Sequence, residues 1–374
     1  MQNPATLVFK TILLCFFIST LAHAQLPPLK RPVPGGNRKA WVGERIGITD
    51  VTVCYDRPGV KGREGKIYGT QVVHTGYRNL SLEYGTATKA PWRAGANENT
   101  TIEFSTDVKI EGKDLAAGKY GFFIMYDPNE CVVIFSKNYG SWGSYFYDDK
   151  EDALRVKVKP GTLDKSIEWL KYEFINQTDN SATIALLWEK TMIAFKVETD
   201  LVKTQLEDYR SELRGSKGFS WESWEQAASF CVDNNTNLEE ALLWSDIAVN
   251  ANKNFQTLST KANLLEKMNR GKEADSLMKV ASEMGTMPEL HQYAKRLIGR
   301  KKSKEAMEVF QLNFKKNPKQ FTTYVGLARG YSANGDFKNA LSNLKAALPL
   351  APDPLNKSSV EDMIKKLEGG KDIN

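Results

Sequence analysis

The feature that most constrains this chain is a self-similarity of 34 residues in its C-terminal half: Pro318 and Pro352 are 34 apart, and so are Ala306 and Ala340. Segment 321–352 carries Tyr324, Leu327, Ala328 and Tyr331, then Gly335-Asp336-Phe337, Ala340, Leu344, Ala347 and Pro352. The copy before it has Leu290, Tyr293, Ala294, Leu297, Ala306, Phe310 and Pro318. A third has Leu258, Ala262, Leu265, Ala274, Met278 and Ala281. A fourth, looser copy has Trp224, Ala227, Ala228, Cys231, Ala241, Ser245 and Ala248. Small residues let paired helices approach closely, and large ones fill the holes left between them. Each unit buries its faces only against its neighbours, so several must stack. An unrelated helical bundle fits less well, because spacing and residue type agree in consecutive copies.

The order of a large residue, Leu, a small residue and Tyr, followed by A-x3-F and a closing Pro, resembles the tetratricopeptide repeat. The resemblance covers residues 221–352 and implies a surface that holds a protein or peptide partner. Residues 353–374 read as a more polar capping helix, centred on 358–368, with a tail. Ahead of the repeats, residues 200–220 read as a connecting helix and loop. Asp200 can cap the helix, Val202, Leu206, Tyr209 and Leu213 follow helical spacing, and Gly215 ends it.

The N-terminal half has the other periodicity. Val51, Val53 and Tyr55 alternate, as do Tyr120, Phe122, Ile124 and Tyr126; Leu154, Val156 and Val158; and Ile193, Phe195 and Val197. Alternation at period two buries one face of each strand. Turn signals such as Ala117-Gly118, Asp127-Pro128-Asn129 and Pro160-Gly161 separate the runs. Residues 42–199 are therefore expected to form an antiparallel β-sandwich or barrel, and the whole chain a multidomain protein of β domain followed by an α-helical tetratricopeptide-like array.

Residues 1–24 read as a secretory signal peptide: Lys10, a short apolar core from Thr11 to Leu21, and the A-x-A site Ala22-His23-Ala24. The core is too short to span a bilayer. Residues 25–41, rich in proline, glycine and charge, read as a linker. Export, to the periplasm or outside the cell, is the expectation. It permits a disulfide between Cys54 and Cys131, though a large core needs none and buried free cysteine is common.

Net charge is +6, and the densest basic run is Arg300-Lys301-Lys302 with Lys304. That run is short for a nucleic-acid stripe and has no interleaved aromatics, so a solvated turn between helices explains it better and no nucleic-acid partner is expected.

Three stretches of the β domain stand out: Cys54-Tyr55-Asp56-Arg57-Pro58-Gly59-Val60-Lys61-Gly62-Arg63; Pro91-Trp92-Arg93-Ala94-Gly95-Ala96-Asn97-Glu98 with the later Ala117-Gly118-Lys119-Tyr120 turn; and Trp142-Gly143 with Tyr145, leading to Arg155-Val156-Lys157-Val158-Lys159-Pro160. In this order they resemble the "domain of unknown function 2911" family over roughly residues 47–196. The resemblance implies an exported β domain, in some members followed by helical repeats. It implies no activity.

The chemistry readable from the residues is sparse. The two histidines left after signal removal, His74 and His291, fall in different domains, so a histidine-rich metal site is not expected. The acidic run Asp148-Asp149-Lys150-Glu151-Asp152 lacks the spacing of a calcium loop and reads as a solvated hairpin turn. No nucleophile elbow, phosphate loop or dinucleotide fingerprint is present, and no cofactor is expected. What remains is the loop from Trp92 to Glu98. Arg93, with the basic loop of Arg57, Lys61 and Arg63, is a candidate anion site in which Glu98 would be acid or base. The alternative is a polar cluster that holds the fold, with Arg93 and Glu98 paired and Asn97 bonding backbone. Trp92, Trp142 and Tyr145 are a candidate platform for a glycan or peptide, or else core aromatics. The functional expectation is an exported, non-enzymatic interaction protein. An envelope enzyme or carbohydrate-binding protein with its site near Arg93, Asn97 and Glu98 is the alternative.

Overall fold

The computed structural model describes residues 36–80 and 85–374. The proposed signal peptide, and the linker up to residue 35, lie outside the described residues. The chain divides into two units between Leu201 and Val202.

The first unit is built from two antiparallel sheets. One has six strands in the order β1 (Arg38–Ile46), β2 (Thr49–Arg57), β5 (Thr100–Phe104), β8 (Gly118–Met125), β9 (Cys131–Ser136) and β10 (Asp152–Val158). The other has four, in the order β11 (Gly161–Ile175), β12 (Ser181–Glu198), β6 (Val108–Ile110) and β7 (Lys113–Leu115). A small ribbon pairs β3 (Arg78–Asn79) with β4 (Lys89–Ala90). Strand β1 begins at Arg38, inside the stretch expected to be linker up to residue 41. Proline and glycine set that composition, but they end at Gly36, and from Arg38 onward the chain pairs with β2.

The alternating residues do what their period requires. Val51, Val53 and Tyr55, with Ile102, Phe104, Phe122, Ile124, Val133 and Phe135, face Leu170, Tyr172, Ile184, Leu186, Trp188, Phe195 and Val197 of the other sheet in one core. Two sheets sharing one core make the unit a sandwich. Strand β8 is buried on both sides: Phe123 packs with Ala87, Ile134 and Tyr147 in a satellite cluster on the outer face. Cys54 and Cys131 are free. They lie on β2 and β9 with β5 and β8 between them, three inter-strand steps or roughly 14 Å apart, well beyond what a disulfide spans.

The second unit is helical. After α1 (Leu201–Glu212) come four pairs: α2 (Trp221–Asn234) with α3 (Leu238–Ala251), α4 (Phe255–Lys267) with α5 (Gly271–Met284), α6 (Met287–Gly299) with α7 (Ser303–Lys316), and α8 (Phe321–Ala333) with α9 (Phe337–Ala347). Helix α10 (Pro354–Glu368) closes the array, starting four residues before the expected 358 because Asp353 caps it with Pro354 in its first turn. The repeated small residues Ala228, Ala241, Ala294, Ala306, Ala328 and Ala340 are fully buried, as close helix approach demands. Helix α8 goes further. A Cβ on Gly326 would lie 2.6 Å from Cδ1 of Phe310, and one on Gly330 would lie 2.7 Å from Sδ of Met307. These glycines cost helix propensity, and they let α7 pack directly on the α8 backbone. Between α2 and α4, buried Glu225 accepts from Thr260 Oγ1 at 2.6 Å and Gln256 Nε2 at 2.8 Å, so its charge is satisfied where it would otherwise be costly. Among the described residues no helix is long and apolar enough to cross a membrane.

Candidate functional site

The loop from Trp92 to Glu98 is held in the β unit by its own bonds. Trp92 exchanges backbone hydrogen bonds with Ile124 at 3.0 and 2.9 Å, which turns its side chain inward. There it stacks on Trp188 at 6.2 Å and meets the edge of Tyr68 at 6.1 Å. Trp92 is thus a core residue, whereas Trp142 is 55% exposed. The platform expected from Trp92, Trp142 and Tyr145 does not assemble, since the first points into the sandwich. Tyr145 is instead covered by Arg93, whose guanidinium carbon lies 5.4 Å from the ring centre.

Arg93 and Glu98 do not pair. Arg93 donates from Nη1 to the main-chain oxygen of Asn97. Glu98 is exposed and meets Lys39 of β1. Asn97 sits at φ 55°, donates to Asp56 Oδ1 at 3.3 Å and accepts from Asn37 at 3.4 Å. Asp56 is the second carboxylate that sequence reasoning missed. It is buried, Lys39 lies 3.8 Å from it, and burial raises its pKa, with Asn97 and Lys39 opposing. Burial pulls the Lys39 ammonium down, and its bond to Glu98 and the charges of Asp56 and Glu98 outweigh that to raise it. The register Lys39↔Asp56 between β1 and β2 makes this cluster. It could have been found only by pairing β1, whose first residues, Lys39 among them, read as linker.

The basic loop is likewise committed. Arg57 donates to Leu170 O at 2.9 Å, and Arg63 donates to Val60 O at 2.9 Å and Gly59 O at 2.7 Å. Lys61 lies 5.9 Å from the centre of the Trp169 ring, and its backbone nitrogen donates to Glu168. Arg57 and Lys61 fasten β2 and the loop after it to β11, Arg63 ties that loop to itself, and Arg93 has different partners. Arg57, Arg63 and Arg93 thus each already donate to main-chain oxygens. His74 bonds Ala90 O at 3.0 Å, and burial lowers its pKa. The acidic run forms a short 3-10 turn over Asp149–Glu151, in which Asp149 pairs with Lys89 at 2.9 Å; half-buried Asp152, just after it, accepts from Tyr147 and Arg155 at 2.8 and 2.6 Å.

The helical unit carries a groove of about 350 Å³. Helix α6 supplies His291, Gln292 and Lys295; α8 supplies Thr322, Val325 and Arg329; α10 supplies Asn356, Val360 and Met363. His291 and Val325 are 34 apart, as are Lys295 and Arg329, so two repeat positions line the groove in successive copies. That spacing was the signal in the sequence, but the repeat pattern draws attention to buried positions and passes over the exposed ones. The groove wall has basic side chains and no carboxylate. His291 packs edge-on against Phe310 at 5.6 Å, with Nδ1 buried and unpartnered. Burial first, then the charges of Arg329 and Lys295, lower its pKa to about 4. Arg329 is steadied from the tail, donating to Ile373 O at 3.3 Å and Asn374 Oδ1 at 3.4 Å.

The fold and these sites define the class: an antiparallel β-sandwich unit with a helical unit of tetratricopeptide-like repeats. Residues 37–197 match the family model described as Protein of unknown function (DUF2911). That match begins ten residues before the expected 47, in the stretch read as linker and just ahead of β1. No curated protein matches the chain significantly. Among solved structures, the chain is similar to YrrB, described as a TPR protein with an unusual peptide-binding site, at 18% identity and TM-score 0.30, covering 43% of this chain and 84% of that one. It is also similar to MamA residues 41 to the end from Desulfovibrio magneticus RS-1, at 15% identity and TM-score 0.28, covering 42% of this chain and 92% of that one.

Proposed function

We propose that this is an exported interaction protein whose helical unit binds an acidic, extended segment of a partner protein in the groove of α6, α8 and α10. The observation that carries the reading is the groove wall. Lys295, Arg329 and His291 stand over a narrow apolar floor of Val325 and Met363, each less than a tenth exposed, with no acidic side chain in the wall. An extended peptide presenting carboxylates to the cations and apolar side chains to the floor would satisfy both. In the β unit, the polar side chains of the Trp92–Glu98 loop and the basic loop are consumed in fastening strands to loops, which supports a bracing role there and argues against chemistry at Glu98.

The test is titration of the full chain with a fluorescent peptide alternating Glu and Leu, against the same peptide with Lys for Glu. The acidic peptide should bind, and Lys295→Glu should weaken it about tenfold, since placing like charges together costs more than a kilocalorie. Equal affinity for both peptides, or no change in Lys295→Glu, would overturn the reading.

A further inference from the structure

A second groove, with the opposite charge, lies on the second helices of the pairs. It opens between α5 and α7, encloses about 680 Å³, and has Met278, Val309 and Leu312 in its wall. Its rim is acidic. Glu283, Glu305 and Glu308 carry no salt bridge among the described residues, while Lys302 lies 3.5 Å from Asp275, which leaves Lys279 as the one lining cation without an acidic neighbour at that range.

The apolar character extends beyond this opening. Ile247, Val280 and Leu312 each stand six residues after a buried alanine of the repeat, Ala241, Ala274 and Ala306. They therefore hold one position in three successive second helices. That position faces outward: Ile247 is 41% and Val280 43% exposed, and Met284, a turn beyond Val280, is 46% exposed. The repeat architecture does not require a large aliphatic residue there, since the copy in α9 has Ala346 at the same place. A repeating solvent-facing apolar position marks an interaction surface.

We propose that the groove between α5 and α7 receives a basic amphipathic helix of a partner protein. Two successive helices leave between them a trough into which the ridge of a third helix fits. The apolar stripe of that helix would cover Met278, Val309 and Leu312, and its lysines or arginines would meet Glu283, Glu305 and Glu308. This surface is separate from the basic groove of α6, α8 and α10, so neither proposal depends on the other.

The experiment uses the full chain and a fluorescein-labelled helical peptide of about 18 residues, with Leu at helical spacing and Lys elsewhere, and a companion with Glu for Lys. Fluorescence anisotropy should show binding of the Lys peptide, with the Glu peptide about tenfold weaker or worse. The double variant Glu305→Lys/Glu308→Lys alters exposed positions only and should reduce Lys-peptide affinity about tenfold or more. Leu312→Asp should do the same with the rim charge made more acidic, which separates floor from rim. Lys295→Glu should leave this binding unchanged. Equal binding of the two peptides, no binding of either, indifference to the double variant, or loss in Lys295→Glu would each overturn the proposal.

Discussion

Gly143 and Arg93 fit together so closely that a methyl group on Gly143 would collide with the Arg93 guanidinium, reaching within 2.9 Å of Nε with Cζ and Nη1 nearer still. Gly143 also sits at φ 58°, where an L side chain is strained. The glycine is the space that lets Arg93 lie over Tyr145 and bond the oxygen of Asn97. Gly143→Ala should therefore destabilise the β unit by about 1–3 kcal/mol. Adding Arg93→Ala should recover the steric part, and a double-mutant cycle of thermal melts measures it. Additive effects would show that the guanidinium simply moves aside.

Glu98→Gln should change stability little. Its carboxylate is half exposed and its partner Lys39 one-third exposed, so the pair contributes about 0–1 kcal/mol. The expected outcome reverses what a buried Arg93–Glu98 pair would give, a loss of about 3–5 kcal/mol. A melting temperature lowered by more than about 3 °C would contradict the observed pairing.

His291 should make the helical unit acid-sensitive. Its folded pKa of about 4 lies below the ordinary 6.5, so between those values the unfolded chain binds the proton and the folded one does not. Stability from this group is complete above pH 6.5, declines as pH falls, and is fully lost below about pH 4. The groups facing it are Lys295 on its own helix and Arg329 on α8, with Asp372 of the tail acting on Arg329. His291→Gln should flatten the fall in melting temperature between pH 7 and pH 4 by roughly 5 °C. An unchanged pH profile would show that the imidazole is protonated at no cost.

The proposed signal peptide predicts a mature protein that begins at Gln25 when the gene is expressed in a secreting bacterial host. Intact-mass measurement of the exported fraction checks this. Retention of Met1 would refute it.

The repeat register carried the helical unit nearly whole. Each alanine named from the repeats is buried, because a helix that must touch another along its length leaves no other choice at those positions. The β strands were legible where one face is wet. They were less so at β1, where an edge strand with charges and an exposed Trp41 shows little alternation; at β8 the alternation was legible, but not that Phe123 on its other face is buried too.

Sequence by itself determined what periodicity can carry: two kinds of secondary structure, the place where one gives way to the other, and which residues face inward. Tertiary structure alone decided the partners. Arg93 and Glu98 are five residues apart, yet they part company, because a hydrogen bond depends on where a loop turns and not on how near two residues stand along the chain. Asp56 and Lys39 are seventeen apart and meet, because antiparallel pairing sets them side by side. The grooves obey the same logic: His291 and Val325, and Lys295 and Arg329, recur at the repeat period, but only the stacking of helices shows that the basic residues share one trough and the acidic ones another.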